Sequence, residues 1–242
     1  MDRATVFCIV EGQTENAVLK RLVVPHLAAR GVDLHAPIIR VGHGLGGTRF
    51  LRADTLYDQI RRFLRDPRRP WVTTLFDYYA FPTGKEKGWE FVTELKSKAQ
   101  TQGVASVADS IEEQIRLRAL ASDDWADADK RLIPYIQLHE VEALYFADPK
   151  IVAEAFGKPS LVIRFEEIVR TCGGCESIDD SPQTAPSKRI QSLFPGYIKG
   201  RSTAAHGPRI ADRLNLERVR GQCPRFDGWL SRLERLADRL SV

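Results

Sequence analysis

Three apolar runs, each rich in β-branched or aromatic residues and each ending on a carboxylate, constrain this chain more than any other feature of its sequence. Thr5-Val6-Phe7-Cys8-Ile9-Val10 stops at Glu11-Gly12, Trp71-Val72-Thr73-Thr74-Leu75-Phe76 stops at Asp77, and Leu132 to Leu138 runs into His139-Glu140-Val141-Glu142. Runs of this length and make-up are buried strands. Between them lie segments of helical period. One extends from Glu15 to about Ala29, with Val18, Leu19, Leu22, Val23 and Leu27 on one face, Thr14 as its cap, Pro25 as a kink and Gly31 as its stop. A second covers residues 54–65, with Leu56, Ile60, Phe63 and Leu64 on one face, and two more cover about 88–102 and 107–121. Ile38-Ile39-Arg40-Val41 adds a strand ahead of a loop containing Gly42, Gly44, Gly46 and Gly47. Alternating strands and helices predict an α/β fold, a largely parallel central sheet flanked by helices. Ligands of such sheets bind beyond the carboxyl ends of the strands, so Glu11 and Asp77 are expected on one edge. Pro134 places the strand at 132–138 at the side of the sheet or at a bulge.

Beyond residue 148 the pattern turns helical: about 149–156, about 160–171, a helix entered at Ala185-Pro186 with Thr184 or Ser187 as its cap, and a last one over about 225–240 burying Phe226, Trp229, Leu230, Leu233, Leu236 and Leu240. The expected organisation is an α/β core over 1–148 with a helical C-terminal annex over 149–242 packed on it as one body. A hydrophobic content of 43% with 28% charged residues excludes collagen-like, coiled-coil and wholly disordered chains. No apolar run approaches the ~20 residues that span a bilayer, and the Met1-Asp2-Arg3 start lacks the regions of a signal peptide, so a cytoplasmic protein without a membrane partner is expected.

The strand-end carboxylates point to chemistry. Several such groups on one edge repel each other unless cations neutralise them, and hard oxygen donors favour Mg²⁺ or Mn²⁺, the ions of phosphoryl chemistry. For Glu11 alone, capping the next helix is an equally good explanation; recurrence at three strand ends argues for a site. Glu11, Asp77 and Glu140 are the expected metal ligands, with Glu15 in support. If a helix starts at residue 140, Glu140 and Glu142 diverge by about 200°, which leaves Glu142 outside the ligand set. His139 is a candidate general base or phosphate contact, although a satisfied core histidine is the commoner outcome. Lys188, Arg189 and Lys199 are candidate phosphate contacts, with a solvated basic face as the plainer alternative. Three other motifs fail on spacing: His139-Glu140 has Ala143 where a zinc protease needs a second histidine, Gly47 is followed by Thr48 without a P-loop lysine, and Cys172-Gly-Gly-Cys175 has no second pair.

The net charge of +4 hides an uneven distribution. Residues 1–100 carry 16 basic and 11 acidic side chains, residues 101–184 carry 8 and 16, and residues 185–242 carry 12 and 5. A basic surface built from both ends of the chain suits a nucleic-acid partner without requiring one.

Val10-Glu11-Gly12-Gln13-Thr14-Glu15 followed by Leu75-Phe76-Asp77-Tyr78-Tyr79 resembles the topoisomerase-primase (Toprim) fold of OLD-type nucleases, in which a glutamate follows strand one and acidic residues follow strand three. The chain is more closely similar to the bacterial family catalogued as domain of unknown function 4276. That resemblance rests on Glu11-Gly12-x-Thr14-Glu15, Phe76-Asp77-Tyr78-Tyr79-x-x-Pro82, Gln137-Leu138-His139-Glu140-x-Glu142-Ala143-x-x-Phe146-x-Asp148, Ala185-Pro186-Ser187-Lys188-Arg189 and Cys223-Pro224-x-Phe226-x-x-Trp229-Leu230. It implies a Toprim-like, metal-dependent nuclease of bacterial genome defence, acting on DNA or RNA and working beside an ATPase partner. Tyr79 stands where a Toprim site has its second aspartate, so either Glu140 or Glu142 replaces that ligand, or the site holds one metal, or the fold is kept for binding without cleavage. The competing expectations are a non-catalytic Toprim-like subunit that binds nucleic acid or the ATPase, and a nucleotide-metabolite enzyme with a closed pocket.

Overall fold

A computed structural model describes residues 3–41, 44–45, 47, 51–121, 127–178, 181–197 and 206–240. Strand β1 (Ala4–Val10) pairs in parallel with β2 (Val32–His35) on one side. A short antiparallel hairpin, β3 (Arg40–Val41) and β4 (Gly44–Leu45), follows β2. On its other side β1 pairs in parallel with β5 (Trp71–Asp77), and β5 pairs in parallel with β6 (Leu132–Ile133) and β7 (Ile136–Gln137). The fold is α/β with a parallel sheet flanked by helices.

The second strand of the sheet is not the one expected. Val32-Asp33-Leu34-His35 alternates buried and open positions and forms β2, whereas Ile38 makes only an isolated bridge to Val10 and Arg40–Val41 belongs to the hairpin. Alternation over four residues outweighed the denser apolar run that follows it. Of the expected glycine loop, Gly42, His43, Gly46 and Thr48 lie outside the described residues.

The first helix starts at Gln13, one residue ahead of its expected cap Thr14. α1 (Gln13–Val18) is entered from Gly12 with no side-chain cap, and Thr14 is buried inside it. It passes through a π-helical turn over Leu19–Val23, where Val24 N–H reaches back five residues to Leu19 O, into α2 (Val24–Ala28). The next residue, Pro25, donates nothing, so the widened turn is the kink expected from that proline. Then come α3 (Ala53–Leu64), α4 (Glu90–Ser97), α5 (Ala99–Gln102) and α6 (Val104–Leu120), with Gly103 at φ 81° separating the last two. α7 (Ala128–Arg131) leads into β6.

Pro134 divides the fourth strand into β6 and β7 without shifting its register, since Val72↔Leu132 and Phe76↔Ile136 keep the same offset. The hydroxyl of Thr74 spans the break: it accepts from Tyr135 N–H (2.9 Å) and donates to Tyr135 O (2.8 Å). The interruption sits at the side of the sheet, where a proline is tolerated. A seven-residue 3₁₀ helix, Val141–Ala147, follows, every residue of it buried.

The remaining helices are α8 (Pro149–Ala155), α9 (Val162–Cys172), α10 (Pro186–Leu193), α11 (His206–Ala211), α12 (Leu216–Gln222) and α13 (Pro224–Glu234). They do not form a separate body. Ala4, Val6, Cys8 and Val10 of β1 share one hydrophobic cluster with α1, α2 and Phe165, Phe226, Trp229 and Leu233 of the C-terminal helices. The opposite face, with Ile9, Val72, Phe76 and Ile136, packs on α3, α4 and α6. Odd positions of β5 face the C-terminal layer: Thr73 Oγ1 accepts from Trp229 Nε1 (2.9 Å), and Leu75 belongs to that cluster. Strand periodicity therefore aims Asp77 into the same layer. Among the described residues no helix is long and apolar enough to cross a membrane.

Candidate metal centre

At the carboxyl end of the sheet, oxygens of Asp77, Glu140 and Glu142 lie within 4.8 Å of one another, and all three side chains are buried, at 1%, 2% and 0% exposure. Asp77 closes β5. The chain leaves β7 through His139 at φ 59°, a left-handed conformation uncommon outside glycine. That turn sends Glu140 back in extended conformation (φ −144°) to the start of the 3₁₀ helix, whose Val141 N–H donates to Asp77 Oδ1 at 2.7 Å.

The expectation that Glu142 points away is overturned. It assumed a helix beginning at residue 140, but Glu140 is extended and shares no helical phase with Glu142, so both carboxylates reach the cluster. The two are held differently. Glu140 Oε2 accepts from Ser187 N–H (2.7 Å) and Oε1 from Ser187 Oγ (3.0 Å), while Glu142 Oε1 accepts from the Tyr197 hydroxyl (2.9 Å). Ser187 N–H belongs to the first turn of α10, so Glu140 caps that helix from a distant part of the chain. Neither Thr184 nor Ser187 serves as the cap expected from sequence.

Glu15 joins this group from α1. Burial pushes its carboxyl well above the usual range, and the charges of Asp77, Glu11 and Glu142 push it further in the same direction. A Cβ at Gly12 would come within 3.3 Å of Glu15 Oε2, so a side chain there requires that carboxylate to shift by a few tenths of an ångström. Glu11, half-buried after β1, acts on Glu15 through its charge; the three carboxylates whose oxygens cluster are Asp77, Glu140 and Glu142, so Glu142 joins Asp77 and Glu140 there. Hard carboxylate oxygens at this spacing fit a divalent cation.

The other expected residues are placed less centrally. His139 is buried, and its Nε2 donates to Glu176 O (3.1 Å); its own carbonyl accepts from Tyr79 N–H (2.9 Å). Tyr79 is half-buried beside β5. Lys188 is exposed on α10, and Arg189 Nε donates to Thr184 O (2.8 Å), tied to the lead-in of its own helix. Lys199 lies outside the described residues. The partners that sequence reasoning missed are Ser187 and Tyr197. Ser187 stands inside the Ala-Pro-Ser-Lys-Arg motif and Tyr197 two residues before Lys199, so each hydroxyl lies beside a cation that carried the sequence argument.

No curated protein matches the chain, and no solved structure matches it. The model of the family described as Domain of unknown function (DUF4276) matches residues 10–234, nearly the whole length, and the chain belongs to that family.

Proposed function

We propose that the chain is a divalent-metal-dependent nuclease, with Asp77, Glu140 and Glu142 holding Mg²⁺ or Mn²⁺. The observation that carries this reading is the buried carboxylate triad at the carboxyl end of a parallel sheet, with Glu15 and Glu11 beside it. Val141 N–H, Ser187 and Tyr197 fix the orientation of the three carboxylates, and the positive φ of His139 delivers Glu140 to Asp77. A divalent ion there supplies polarisation of a phosphoryl oxygen and activation of water. A glutamate after the first strand and an aspartate ending the strand paired with it support a Toprim-like ancestry. On this reading the chain acts on DNA or RNA in the bacterial cytoplasm, in genome defence beside an ATPase partner.

A second reading is favoured by the depth of the triad. Each carboxylate is almost fully buried and already accepts a hydrogen bond from the protein, as in a non-catalytic subunit whose bound ion is structural. Incubation of the purified chain with Mn²⁺ and either plasmid DNA or single-stranded RNA separates the two. Cleavage by the wild type, abolished in Asp77→Asn and Glu142→Gln, is the expected result. Thermal stabilisation by Mn²⁺ without cleavage of either substrate would establish the second reading instead.

A further inference from the structure

The opposite end of the sheet carries the opposite charge. β1, β5 and β6 run parallel, so their amino ends share one edge, and the residues just ahead of them are Arg3, Arg68-Arg69 and Lys130-Arg131. α13 and the turn after it bring Arg232, Arg235 and Arg239 to the same edge. Two hollows result. One of about 470 Å³ is lined by Arg3, Arg68, Arg69, Lys130, Arg131 and Arg239, the other of about 280 Å³ by Arg116, Lys130, Arg232, Arg235 and Arg239, with Asp129 as its one carboxylate. Lys130 and Arg239 line both, so the two hollows adjoin and together make a basic trough.

Part of this charge is spent locally. Arg3 pairs with Asp33, Arg68 with Asp66 and Arg116 with Glu113, while Asp127 is shared by Arg69 and Arg131. Lys130, Arg232, Arg235 and Arg239 are exposed and have no carboxylate within ion-pair distance among the described residues. Concentrating four cations in a concave surface raises the local potential, and guanidinium forks match phosphate oxygens.

We propose that this trough binds the phosphate backbone of double-stranded DNA. Among the described residues the linings favour a duplex over a single strand, because Trp71 is their one aromatic residue and its half-buried ring packs on the core, so they offer no platform for unpaired bases. They disfavour a lipid surface as well. Leu132, Ile133 and Leu236 in the smaller hollow are buried, and the exposed large apolar side chains among the described residues, Leu117 and Ile163, lie elsewhere. The seven residues of β5 put about 20 Å between the trough and the carboxylates, so a phosphate gripped here is not the one facing the triad. The inference rests on the proposed function only for the class of partner; its contacts are separate.

Fluorescence anisotropy of the full chain with a labelled DNA duplex of about 20 base pairs, in EDTA and between about 50 and 200 mM salt, tests it. Four unpaired cations predict a slope of log K against log salt of about −3 to −4. The triple variant Arg232→Ala, Arg235→Ala, Arg239→Ala is expected to flatten that slope by about 2–3 and to weaken binding by about tenfold or more at the lowest salt, with an unchanged thermal melt. Lys158→Ala with Arg170→Ala, exposed cations away from the trough, is expected to change little. Salt-independent binding, a triple variant that binds like the wild type, a control pair that loses as much, tighter binding of a single strand, or triple-variant loss on phosphatidylglycerol vesicles but not on the duplex would each overturn the proposal. Arginine-dependent binding without Mn²⁺-dependent cleavage would leave it standing and remove the nuclease reading. Cleavage by a triple variant that binds the duplex like the wild type would do the reverse.

Discussion

Ser187 shows how much a single residue decides at the carboxylate end. Its N–H and its hydroxyl hold the two oxygens of Glu140, so α10 and the segment after β7 are locked together at one side chain. Ser187→Ala removes the 3.0 Å hydroxyl contact but keeps the 2.7 Å backbone one, and Glu140 stays buried with one donor fewer. Loss of a partner that orients a ligand lowers metal affinity by about 10–100-fold. The loss of one such hydrogen bond costs about 1–2 kcal/mol of stability. Calorimetric Mn²⁺ titration of the folded variant checks the first figure and urea unfolding the second. Affinity equal to the wild type's would mean that Glu140 is a helix cap and not a ligand. Sequence identified the carboxylates because their chemistry is carried by residue type, but Ser187 and Tyr197 act through position, and no local pattern brings residue 187 or 197 to residue 140 or 142.

At the scale of elements, the strand interrupted by Pro134 depends on its neighbour. Tyr135 N–H and C=O face a gap in the ladder, and the Thr74 hydroxyl fills it as acceptor and donor at once. Thr74→Val keeps shape and β propensity while leaving two buried backbone groups without that partner. At about 1–3 kcal/mol for each buried group left unsatisfied, the variant is expected to lose about 2–6 kcal/mol, readable by urea unfolding. A loss below about 1 kcal/mol would show that the gap is bridged by other means. The apolar runs of β1 and β5 were legible because a strand buried on both faces is almost continuously apolar. β2 was not, since four residues, Val32-Asp33-Leu34-His35, alternate only twice while Ile38-Ile39 offers a denser signal nearby. The extended backbone at Glu140 was hidden for a related reason: the left-handed turn at His139 lies at a residue type that gives no warning of it.

For the whole molecule, the question is whether residues 1–148 can stand without the rest. The C-terminal helices cover one face of the sheet: Phe226, Trp229, Leu230 and Leu233 are buried there, the Trp229 ring stacks on Tyr135 at 4.8 Å, and its Nε1 bonds to Thr73. Burying side chains of this size contributes about 1.5–3 kcal/mol each, so these four alone supply about 6–12 kcal/mol. That equals the entire net stability of a typical domain, about 5–15 kcal/mol. Arg225 adds a polar clamp between the layers, donating to Ile136 O at 2.6 Å and pairing with Glu112. The annex also supplies Ser187 and Tyr197 to the carboxylates at one end of the sheet and Arg232, Arg235 and Arg239 to the trough at the other. A chain ending at Asp148 is therefore expected to lack cooperative thermal unfolding and to bind a hydrophobic dye, because the face carrying Val6, Cys8, Val10 and Leu75 keeps α1 and α2 but loses Phe165, Phe226, Trp229 and Leu233. In the full chain, Trp229→Ala is expected to cost about 3–5 kcal/mol by urea unfolding. A sharp melt from the 1–148 fragment, or a Trp229→Ala variant as stable as the wild type, would make the annex an accessory to a self-sufficient core instead of half of that core.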